Sequence, residues 1–465
     1  MRVPGLTLDF ILKATGGKLA GNRKKITGLS IDSRTIKKGE VFFALKGEHY
    51  DGHSFCKEAL SRGASCVVVE KPSELRKDFI KVKDTLNALG NLARKWRQRF
   101  NVKCVAITGT SGKTTARRII YRLLKDRYKC CESMKNYNNL VGLPLSIFQI
   151  NKETEVAILE LAMNKPGEIK RLSIIAEPQV GVITNIGRGH LQFLGSVQNV
   201  ANAKSELLRY LKKGDVAILN SDDTYLMKMR GRTKAEVITY GIVNPSDFRA
   251  GDIKTGSRGS SFAVNGEGSF YLPLPGKFNI YNALTAIAIS SLFGFGSKEI
   301  KERLRSLRPE PLRLNRITIE GVTVYNDSYN ANPDSMAAAL SVVSQEEGKR
   351  KIACLGDMLE LGKRRVEFHR EVGRRLHRYG FDVIFLYGSL SIHILRSLRK
   401  NGFKGKVEHF MDREKLTRKL TRLIRKGDVI LIKGSHNNRL DIVADALIKN
   451  IKANSSATKA QRHKG

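Results

Sequence analysis

Residues 105–115, which read Val-Ala-Ile-Thr-Gly-Thr-Ser-Gly-Lys-Thr-Thr, constrain the fold more than any other stretch of the chain. Their apolar start predicts a buried strand, their glycines predict a turn, and a helix is expected to follow. A strand that ends in a glycine-rich loop at a helix N-terminus directs backbone N–H groups and the helix dipole at an anion. This stretch therefore predicts a phosphate-binding loop.

The loop is a shortened form of the usual nucleotide-binding pattern, because two residues rather than four separate its glycines. In that pattern the lysine reaches the outer phosphates and the next hydroxyl contacts Mg²⁺, so we expect these roles for Lys113 and Thr114. The residues expected to bind the nucleotide here are Thr108, Gly109, Thr110, Ser111, Gly112, Lys113, Thr114 and Thr115.

Composition describes an ordinary globular protein of 465 residues, with 41% hydrophobic and 27% charged residues. No run of about 18 apolar residues is present, so we expect no membrane-spanning segment. The first residues lack the apolar segment of a signal peptide, which predicts a cytoplasmic location. The six cysteines contain no CxxC pair, so neither a zinc site nor a disulfide framework is expected.

The formal net charge of +39 is the unusual feature of the composition. Such a charge favours anionic partners through long-range attraction. It is spread along the chain without a basic motif interleaved with aromatic residues, so we expect no dedicated nucleic-acid site. Nonspecific binding of polyanions is a secondary property that the charge allows.

Short apolar strands alternate with helical segments after the loop, which predicts a parallel sheet with helices on both faces. Strands are expected at 156–161, 180–185 and 215–220. Ligands of such sheets lie at the carboxyl ends of the strands. Glu160 and Asn185 fall at those ends, on the same edge as the phosphate loop.

The pattern divides the chain into four parts. A small α/β unit covers 1–82, and an amphipathic helix at 84–100 opens a central domain that covers 83–310. A third alternation of strands and helices covers 311–451. The last stretch, 452–465, is basic and lacks acidic and large apolar residues, which predicts a disordered tail.

Three side chains in the central domain are candidates for metal binding. Glu160 ends a buried strand and offers the hard oxygen that Mg²⁺ prefers, although a helix cap or a salt bridge is the alternative. His190 stands in a polar, glycine-rich loop that suits a neutral imidazole ligand. Lys204, taken alone, has the pattern of a solvated helix lysine.

The motifs taken together resemble the Mur ligases of peptidoglycan synthesis. The resemblance covers the chain except its basic tail, and the Asp-Asn-Pro-Arg motif of the tripeptide-forming ligase is absent. It rests on residues 108–115, 136–139, 142–144, 164–169, 184–193, 326–336, 355–362 and 433–435, with Glu160, Lys204, Asn279 and Asn282.

The resemblance implies three α/β domains: a small N-terminal substrate domain, a central P-loop ATPase-type parallel sheet, and a C-terminal Rossmann-like domain that closes over ATP. The implied activity is ATP-dependent amide ligation through an acyl phosphate, by a monomer. The implied substrates are UDP-N-acetylmuramoyl-tripeptide and D-alanyl-D-alanine, and the implied cofactors are ATP and two Mg²⁺ ions. The third residue of the tripeptide, diaminopimelate or lysine, is left open.

The resemblance also implies roles for individual residues. Lys204 matches the lysine that is carbamylated in the family, which would replace a cation with a carboxylate-like ligand beside two metal ions. The implied catalytic residues are Lys113, Glu160, His190 and Lys204, and the implied metal ligands are Thr114, Glu160, His190 and Lys204. The further nucleotide-binding residues are Asn282 near the adenine, Arg313 (or Arg316) at the phosphates, and Asp327 as the acid at the ribose or at the hinge. The implied substrate contacts are Ser33, Arg34, Asn138, Asn139, Tyr329, Asn330 and Asn332.

Two alternatives remain at this point. A related Mur-type amide ligase could add a different amino acid or a glutamyl unit. A protein that keeps the fold but only binds ligands is disfavoured, because Lys113, Glu160, His190 and Lys204 are all present together.

Overall fold

Three sheets organise the computed structural model, which describes residues 1–47, 49–72, 75–134 and 136–462. Each sheet is mainly parallel and belongs to one α/β domain. Within the described part of the chain, no helix is both long enough and apolar enough to cross a membrane.

The N-terminal domain is built on five short strands in the order β1-β5-β4-β3-β2. β1 is antiparallel to β5 and the other pairs are parallel. All residues of β3 and β4 are buried, as their apolar sequences require, and the one charged residue among them, Glu40, pairs with the amino group of Met1. The elements are α1 (Leu8–Thr15), β1 (Lys18–Ala20), β2 (Gly28–Ser30), β3 (Glu40–Phe43), α2 (Cys56–Ser61), β4 (Cys66–Val69) and β5 (Phe79–Lys81).

The central domain begins with α3, which packs against α1 of the first domain and against α5 and α6. Its elements are α3 (Thr85–Arg97), β6 (Lys103–Thr108), α4 (Lys113–Leu124), β7 (Cys130–Glu132), α5 (Gly142–Ile147), β8 (Val156–Glu160), α6 (Glu168–Ala176), β9 (Val180–Ile183), α7 (Leu191–Leu194), α8 (Val197–Lys204), α9 (Glu206–Tyr210), β10 (Val216–Asn220), α10 (Thr224–Met229), β11 (Glu236–Gly241), β12 (Phe248–Gly256), β13 (Gly259–Val264), β14 (Glu267–Leu272), α11 (Lys277–Leu292) and α12 (Ser297–Arg305).

The central sheet has the strand order β14-β13-β12-β11-β10-β9-β6-β8-β7. It is parallel from β7 to β12, whereas β13 and β14 add to one edge as antiparallel hairpins. The predicted parallel sheet is therefore only part of a mixed sheet. The cause is local, because Asn265 and Gly266, both at positive φ, connect β13 to β14 in a two-residue hairpin turn.

The C-terminal domain has the strand order β15-β16-β20-β17-β18-β19, with β15 antiparallel to β16 and the rest parallel. Two clusters of buried apolar residues cover the sheet, one with α13 to α15 and one with α16 and α17. The elements are β15 (Asn315–Ile319), β16 (Val322–Asp327), α13 (Pro333–Ser344), β17 (Arg350–Gly356), α14 (Arg365–Arg378), β18 (Val383–Tyr387), α15 (Ile392–Lys400), β19 (Lys406–Phe410), α16 (Arg413–Leu423), β20 (Asp428–Lys433) and α17 (Leu440–Arg462).

The basic tail differs from its prediction, because the backbone continues α17 as far as Arg462. The stretch 452–462 contains neither glycine nor proline and is rich in alanine and lysine, so helix propensity carries the last helix beyond the folded core. Residues 463–465 of the predicted disordered tail lie outside the described residues. The exact boundaries between the predicted domains stay a prediction.

Candidate active site between the central and C-terminal domains

The phosphate loop lies between β6 and α4, as predicted, with both of its glycines at positive φ. A Cβ atom at Gly109 would lie 1.9 Å from Thr184 Oγ1, and one at Gly112 would lie 2.4 Å from Asn282 Oδ1. Side chains are thus excluded at these two positions by close approach as well as by backbone conformation. The shortened loop is packed directly against the neighbouring strand end and α11.

The loop after β9 holds the phosphate loop in place. Thr184 Oγ1 donates to the Ser111 carbonyl oxygen (2.7 Å), and the Asn185 side chain exchanges two hydrogen bonds with the Ser111 backbone. Lys113 Nζ donates to the Gly109 carbonyl oxygen at 2.8 Å. Burial lowers the pKa of Lys113, although the charge of Glu160 opposes this effect. The Lys113 amino group therefore lies inside the loop and is hydrogen-bonded to a neutral backbone carbonyl oxygen.

Glu160 ends β8 with a side chain that is 3% exposed. Its two carboxylate oxygens accept hydrogen bonds from Thr114 Oγ1 (2.8 Å) and Asn138 Nδ2 (2.9 Å). Arg117 Nε lies 3.7 Å from the same carboxylate. Three of the predicted site residues, Thr114, Asn138 and Glu160, therefore form one polar cluster at the carboxyl end of the sheet.

Lys204 is the last residue of α8, and its side chain is fully buried. Its Nζ has no hydrogen-bond partner among the described residues. Burial, reinforced by the charge of Lys113, holds the pKa of Lys204 well below its usual value. A buried amine with no acceptor is costly in a folded protein, so this side chain is not the solvated lysine that its sequence pattern favours.

His190 precedes α7 in the left-handed conformation, at φ 56°. Its Nδ1 lies 3.0 Å from Oε2 of Glu360, which belongs to the C-terminal domain. Burial lowers the pKa of His190, and contact with His190 lowers the pKa of Glu360. The imidazole therefore favours its neutral form, which is the form that binds metal ions.

The C-terminal domain closes the site with Arg313, Tyr329 and Asn332. Arg313 Nη2 donates to Thr114 Oγ1 at 2.8 Å, and its guanidinium carbon lies 4.0 Å from the centre of the Tyr329 ring. Asn332 Nδ2 donates to Ser111 Oγ at 3.1 Å. Arg316, the alternative to Arg313, instead forms an ion pair with Glu346.

Asp327 and Asn330 are joined by Lys433 at the end of β20. Lys433 Nζ donates to Asp327 Oδ2 (2.6 Å) and to the Asn330 carbonyl oxygen (2.9 Å), and its side chain is 2% exposed. Asp327 Oδ1 also accepts the Leu314 N–H at 3.0 Å. This network fixes the residue after Arg313, because Leu314 is hydrogen-bonded to Asp327.

Most of these groups line one cavity of about 890 Å³ between the two domains, whereas Lys204, Arg117 and Arg316 are not among its lining residues. Asn139 lies at its wall and caps α5 by accepting the Gly142 N–H at 2.8 Å. Asn282 also lines the cavity and donates to Asn279 Oδ1 at 3.1 Å. Such a volume is sufficient for a nucleotide and further ligand groups.

Ser33 and Arg34 are not part of this cavity. Ser33 Oγ donates to Glu58 (3.0 Å), and Arg34 donates to both carboxylate oxygens of Asp32. Both residues lie in the N-terminal domain, in a short helical turn after β2.

Sequence reasoning missed Arg117, Arg188 and Glu360 as individual residues of the site. Arg117 could have been found, because it follows Thr114 by three residues and so shares its face of α4. Nothing in the sequence around Arg188 or Glu360 indicates that they meet partners in another domain.

Models of known protein families match three parts of this chain. They are the Mur ligase middle domain at 107–290, the Mur ligase glutamate ligase domain at 312–436, and the Mur ligase family catalytic domain at 25–97. The chain belongs to the Mur ligase family.

Individual relatives match over nearly the whole chain. A Bacillus subtilis protein named UDP-N-acetylmuramoyl-tripeptide–D-alanyl-D-alanine ligase is 35% identical over 453 residues, 95% of this chain and 98% of the relative. A crystal structure of MurF from Acinetobacter baumannii superposes with a TM-score of 0.89 at 29% identity, covering 96% and 100% of the two chains. MurF from Thermotoga maritima in complex with ADP gives a TM-score of 0.82 at 29% identity, covering 92% and 98%.

Proposed function

We propose that this protein joins D-alanyl-D-alanine to UDP-N-acetylmuramoyl-tripeptide, with hydrolysis of ATP to ADP and phosphate. The observation that carries the proposal is the 35% identity to a ligase of that name along 95% of the chain. The phosphate loop, the buried carboxylate of Glu160 and the closing arginine of the third domain provide the physical parts that such a reaction needs.

The first step is attack of the tripeptide's terminal carboxylate on the γ-phosphate, with ADP as the leaving group. Charge spreads over the transferring phosphoryl oxygens, so catalysis consists mainly of positioning and charge neutralisation. Lys113 Nζ lies within the loop, and Arg313 donates to Thr114 Oγ1. We assign them to the phosphates, and we assign the backbone N–H groups at the start of α4 to the same task.

The site suits divalent cations whose ligands come from side chains of several types together with the nucleotide phosphates. In the described part of the chain, no three His, Cys, Asp or Glu side chains form a metal site by themselves. Thr114, Glu160 and His190 would supply a hydroxyl, a carboxylate and an imidazole. A bound Mg²⁺ would neutralise phosphate charge and orient the transferring group.

Lys204 fits the remaining ligand position as a carbamate. Its amine is fully buried, lacks a partner among the described residues and has a lowered pKa. An uncharged amine can react with CO₂, and the product would replace a positive charge with anionic oxygens beside the cations. The burial that makes Lys204 costly as an ammonium group therefore supports this modification.

The second step is attack of the D-alanyl-D-alanine amine on the acyl phosphate, which releases phosphate. The acyl phosphate must be kept from water until the amine arrives, and closure of the C-terminal domain serves that purpose. We assign Tyr329, Asn330 and Asn332, at the closing edge of that domain, to the amine substrate. We assign Asn138 and Asn139 to the tripeptide end and Ser33 and Arg34 to its UDP end.

The nucleotide occupies the remainder of the cavity. We assign Asn282, packed against the phosphate loop, to the adenine and Asp327, on the far side of Arg313, to the ribose. Both substrates and ATP are found inside the cell, so we place this activity in the cytoplasm. We propose that the protein acts as a monomer.

Phosphate release from ATP tests the proposal. Wild-type protein is expected to release phosphate only when both UDP-N-acetylmuramoyl-tripeptide and D-alanyl-D-alanine are present, with either diaminopimelate or lysine at position three. Lys113→Ala is expected to lower the rate by a factor of about a thousand or more. Lys125→Ala is the matched control, because Lys125 is an exposed residue at the other end of the same helix.

No turnover with either tripeptide, but turnover with another amino-acid acceptor, would replace the substrate assignment with a related ligase. Equal activity of the Lys113→Ala and Lys125→Ala variants would contradict the assignment of the phosphate loop.

A further inference from the structure

Arg188 forms the most extensive polar contact between the loop of His190 and the C-terminal domain. Its Nε and Nη2 donate to Asp334 Oδ1 at 2.9 and 2.6 Å, and its backbone N–H donates to Asp334 Oδ2 at 2.9 Å. Both ends of the arginine therefore bind one carboxylate. Arg188 stands two residues before His190, and Asp334 lies in the first turn of α13.

A second carboxylate of the C-terminal domain completes the contact. Arg188 Nη1 donates to Glu371 Oε2 at 2.6 Å, and the guanidinium carbon lies 5.3 Å from the centre of the Phe368 ring. Burial alone would lower the pKa of Arg188, but hydrogen bonds with Asp334 and Glu371 outweigh it and raise the pKa. We call Arg188, Asp334 and Glu371 the latch.

The latch lies between two parts of the proposed site. On one side, the loop that carries Arg188 is fixed to the phosphate loop, because Gly187 N–H donates to Thr110 Oγ1 (2.9 Å) and Thr110 N–H donates to the Asn185 carbonyl oxygen (3.0 Å). On the other side, Asp334 lies two residues after Asn332. Arg188 thus connects the loop of His190 to the C-terminal domain, in addition to the direct hydrogen bonds from Asn332 to Ser111 and from Arg313 to Thr114.

We propose that Arg188 is a positioning residue that holds the C-terminal domain closed while the acyl phosphate exists. The proposal rests on the function proposed above. The guanidinium fork suits this task, because it binds two carboxylates from different helices in a fixed geometry that a lysine does not reproduce. Without it, Asp334 and Glu371 lose the cation between them, and Glu371 keeps only its ion pair with Arg375 on its own helix.

An open site would let water compete with the amine. Water would attack the carbonyl carbon of the acyl phosphate, the bond from that carbon to the phosphate oxygen would break, and the products would be the unchanged tripeptide carboxylate and phosphate. ATP would then be consumed without peptide synthesis. The ratio of phosphate released to pentapeptide formed therefore measures how well the latch works.

The test compares Arg188→Ala with wild type for that ratio, for the KM of D-alanyl-D-alanine and for ADP affinity. The wild-type ratio is expected to be close to one. In Arg188→Ala the ratio is expected to rise several-fold and the KM for D-alanyl-D-alanine about tenfold. ADP affinity is expected to stay within about twofold, because the phosphate loop keeps its own contacts. Arg188→Lys is expected to restore only part of the loss.

The matched control is Arg364→Ala. Arg364 stacks on the same Phe368 ring, at 4.9 Å, but pairs with Glu367 of its own domain. It is expected to behave as wild type in all three measurements. Glu371→Gln provides a second variant from the opposite side of the latch, and it is expected to raise the same ratio as Arg188→Ala, by a smaller factor.

Small-angle X-ray scattering keeps the latch testable if wild type makes no pentapeptide. Arg188→Ala is expected to have a larger radius of gyration than wild type and Arg364→Ala. Equal radii, or a ratio near one in Arg188→Ala with an unchanged KM for D-alanyl-D-alanine, would overturn the proposal. Loss of all turnover in wild type with a larger radius in Arg188→Ala would instead count against the proposed function and support the latch.

Discussion

Lys204 in the central domain and Lys433 in the C-terminal domain are both buried lysines, yet their surroundings are opposite. Lys433 donates to the Asp327 carboxylate at 2.6 Å and to a backbone carbonyl oxygen. Lys204 has no acceptor among the described residues, and burial and the charge of Lys113 lower its pKa against the opposing charge of Glu160. The C-terminal domain thus pairs its buried lysine with a hydrogen-bonded carboxylate, whereas the central domain leaves its buried lysine without a hydrogen-bond partner.

The different surroundings of Lys204 and Lys433 indicate different roles for the two lysines. A buried charge that is paired and hydrogen-bonded contributes to a fixed structure. A buried amine without an acceptor reduces stability, and such costs are concentrated at functional sites. Lys433 therefore has a structural role, because it fixes Asp327 and Asn330. The burial of Lys204 without an acceptor instead indicates a functional role.

The largest expected effect comes from Lys204→Met. Activity is expected to fall by a factor of about a thousand, because the proposed carbamate ligand is lost. The melting temperature is expected to stay the same or rise, because an unpartnered buried amine is replaced by an apolar side chain of similar length. Turnover assays and thermal unfolding of the same preparation measure the two effects.

Lys213→Met is the control for that variant, since Lys213 is exposed and lies outside the site. Wild-type activity is also expected to fall when CO₂ and bicarbonate are removed and to return when bicarbonate is added. Full activity of Lys204→Met would contradict its assignment as a metal ligand. A large fall in the melting temperature of Lys204→Met would contradict the inference that the Lys204 amine lacks a stabilising partner.

The second prediction concerns Lys433→Met. Removal of this lysine leaves Asp327 without its cation in a nearly buried position, so the free energy of unfolding is expected to fall by about 3 kcal/mol. Urea unfolding followed by circular dichroism measures the change. Lys433→Met combined with Asp327→Asn is expected to recover part of the loss, because the uncompensated charge is then gone. No recovery would mean that lost packing, and not charge, is responsible.

The same contrast explains how far the sequence could predict this molecule. The parallel strands and the phosphate loop could be predicted, because buried apolar runs and glycine spacing report local structure directly. Glu160 and Asn185 were correctly expected at strand ends. The partners of Arg188 and Glu360 could not be predicted, because they depend on how two domains meet. Lys204 follows Val200 and Ala201 at helical spacing and shares their buried face of α8, so its burial could have been predicted from the periodicity, although a lysine usually reaches solvent.

The smallest expected effect tests whether the C-terminal domain uses paired charges in general. Glu346 is 6% exposed and accepts hydrogen bonds from Arg316 at 3.0 and 3.2 Å. Burial would raise its pKa, but Arg316 and Tyr325 outweigh burial and hold the pKa of Glu346 below its usual value. A carboxyl with a lowered native pKa stabilises the fold above its unfolded pKa of about 4.3, and this contribution disappears as the pH falls through the native value.

Glu346→Gln is therefore expected to cost about 1–2 kcal/mol of unfolding free energy at pH 7. The difference from wild type should shrink as the pH falls below about 4. Urea unfolding at a series of pH values measures it, with Glu367→Gln as the matched control because that carboxylate pairs with Arg364 on the surface. A loss of the same size at every pH would assign Glu346 to packing. The Lys433–Asp327 ion pair would then be an isolated case, and the C-terminal domain would not pair its buried charges in general.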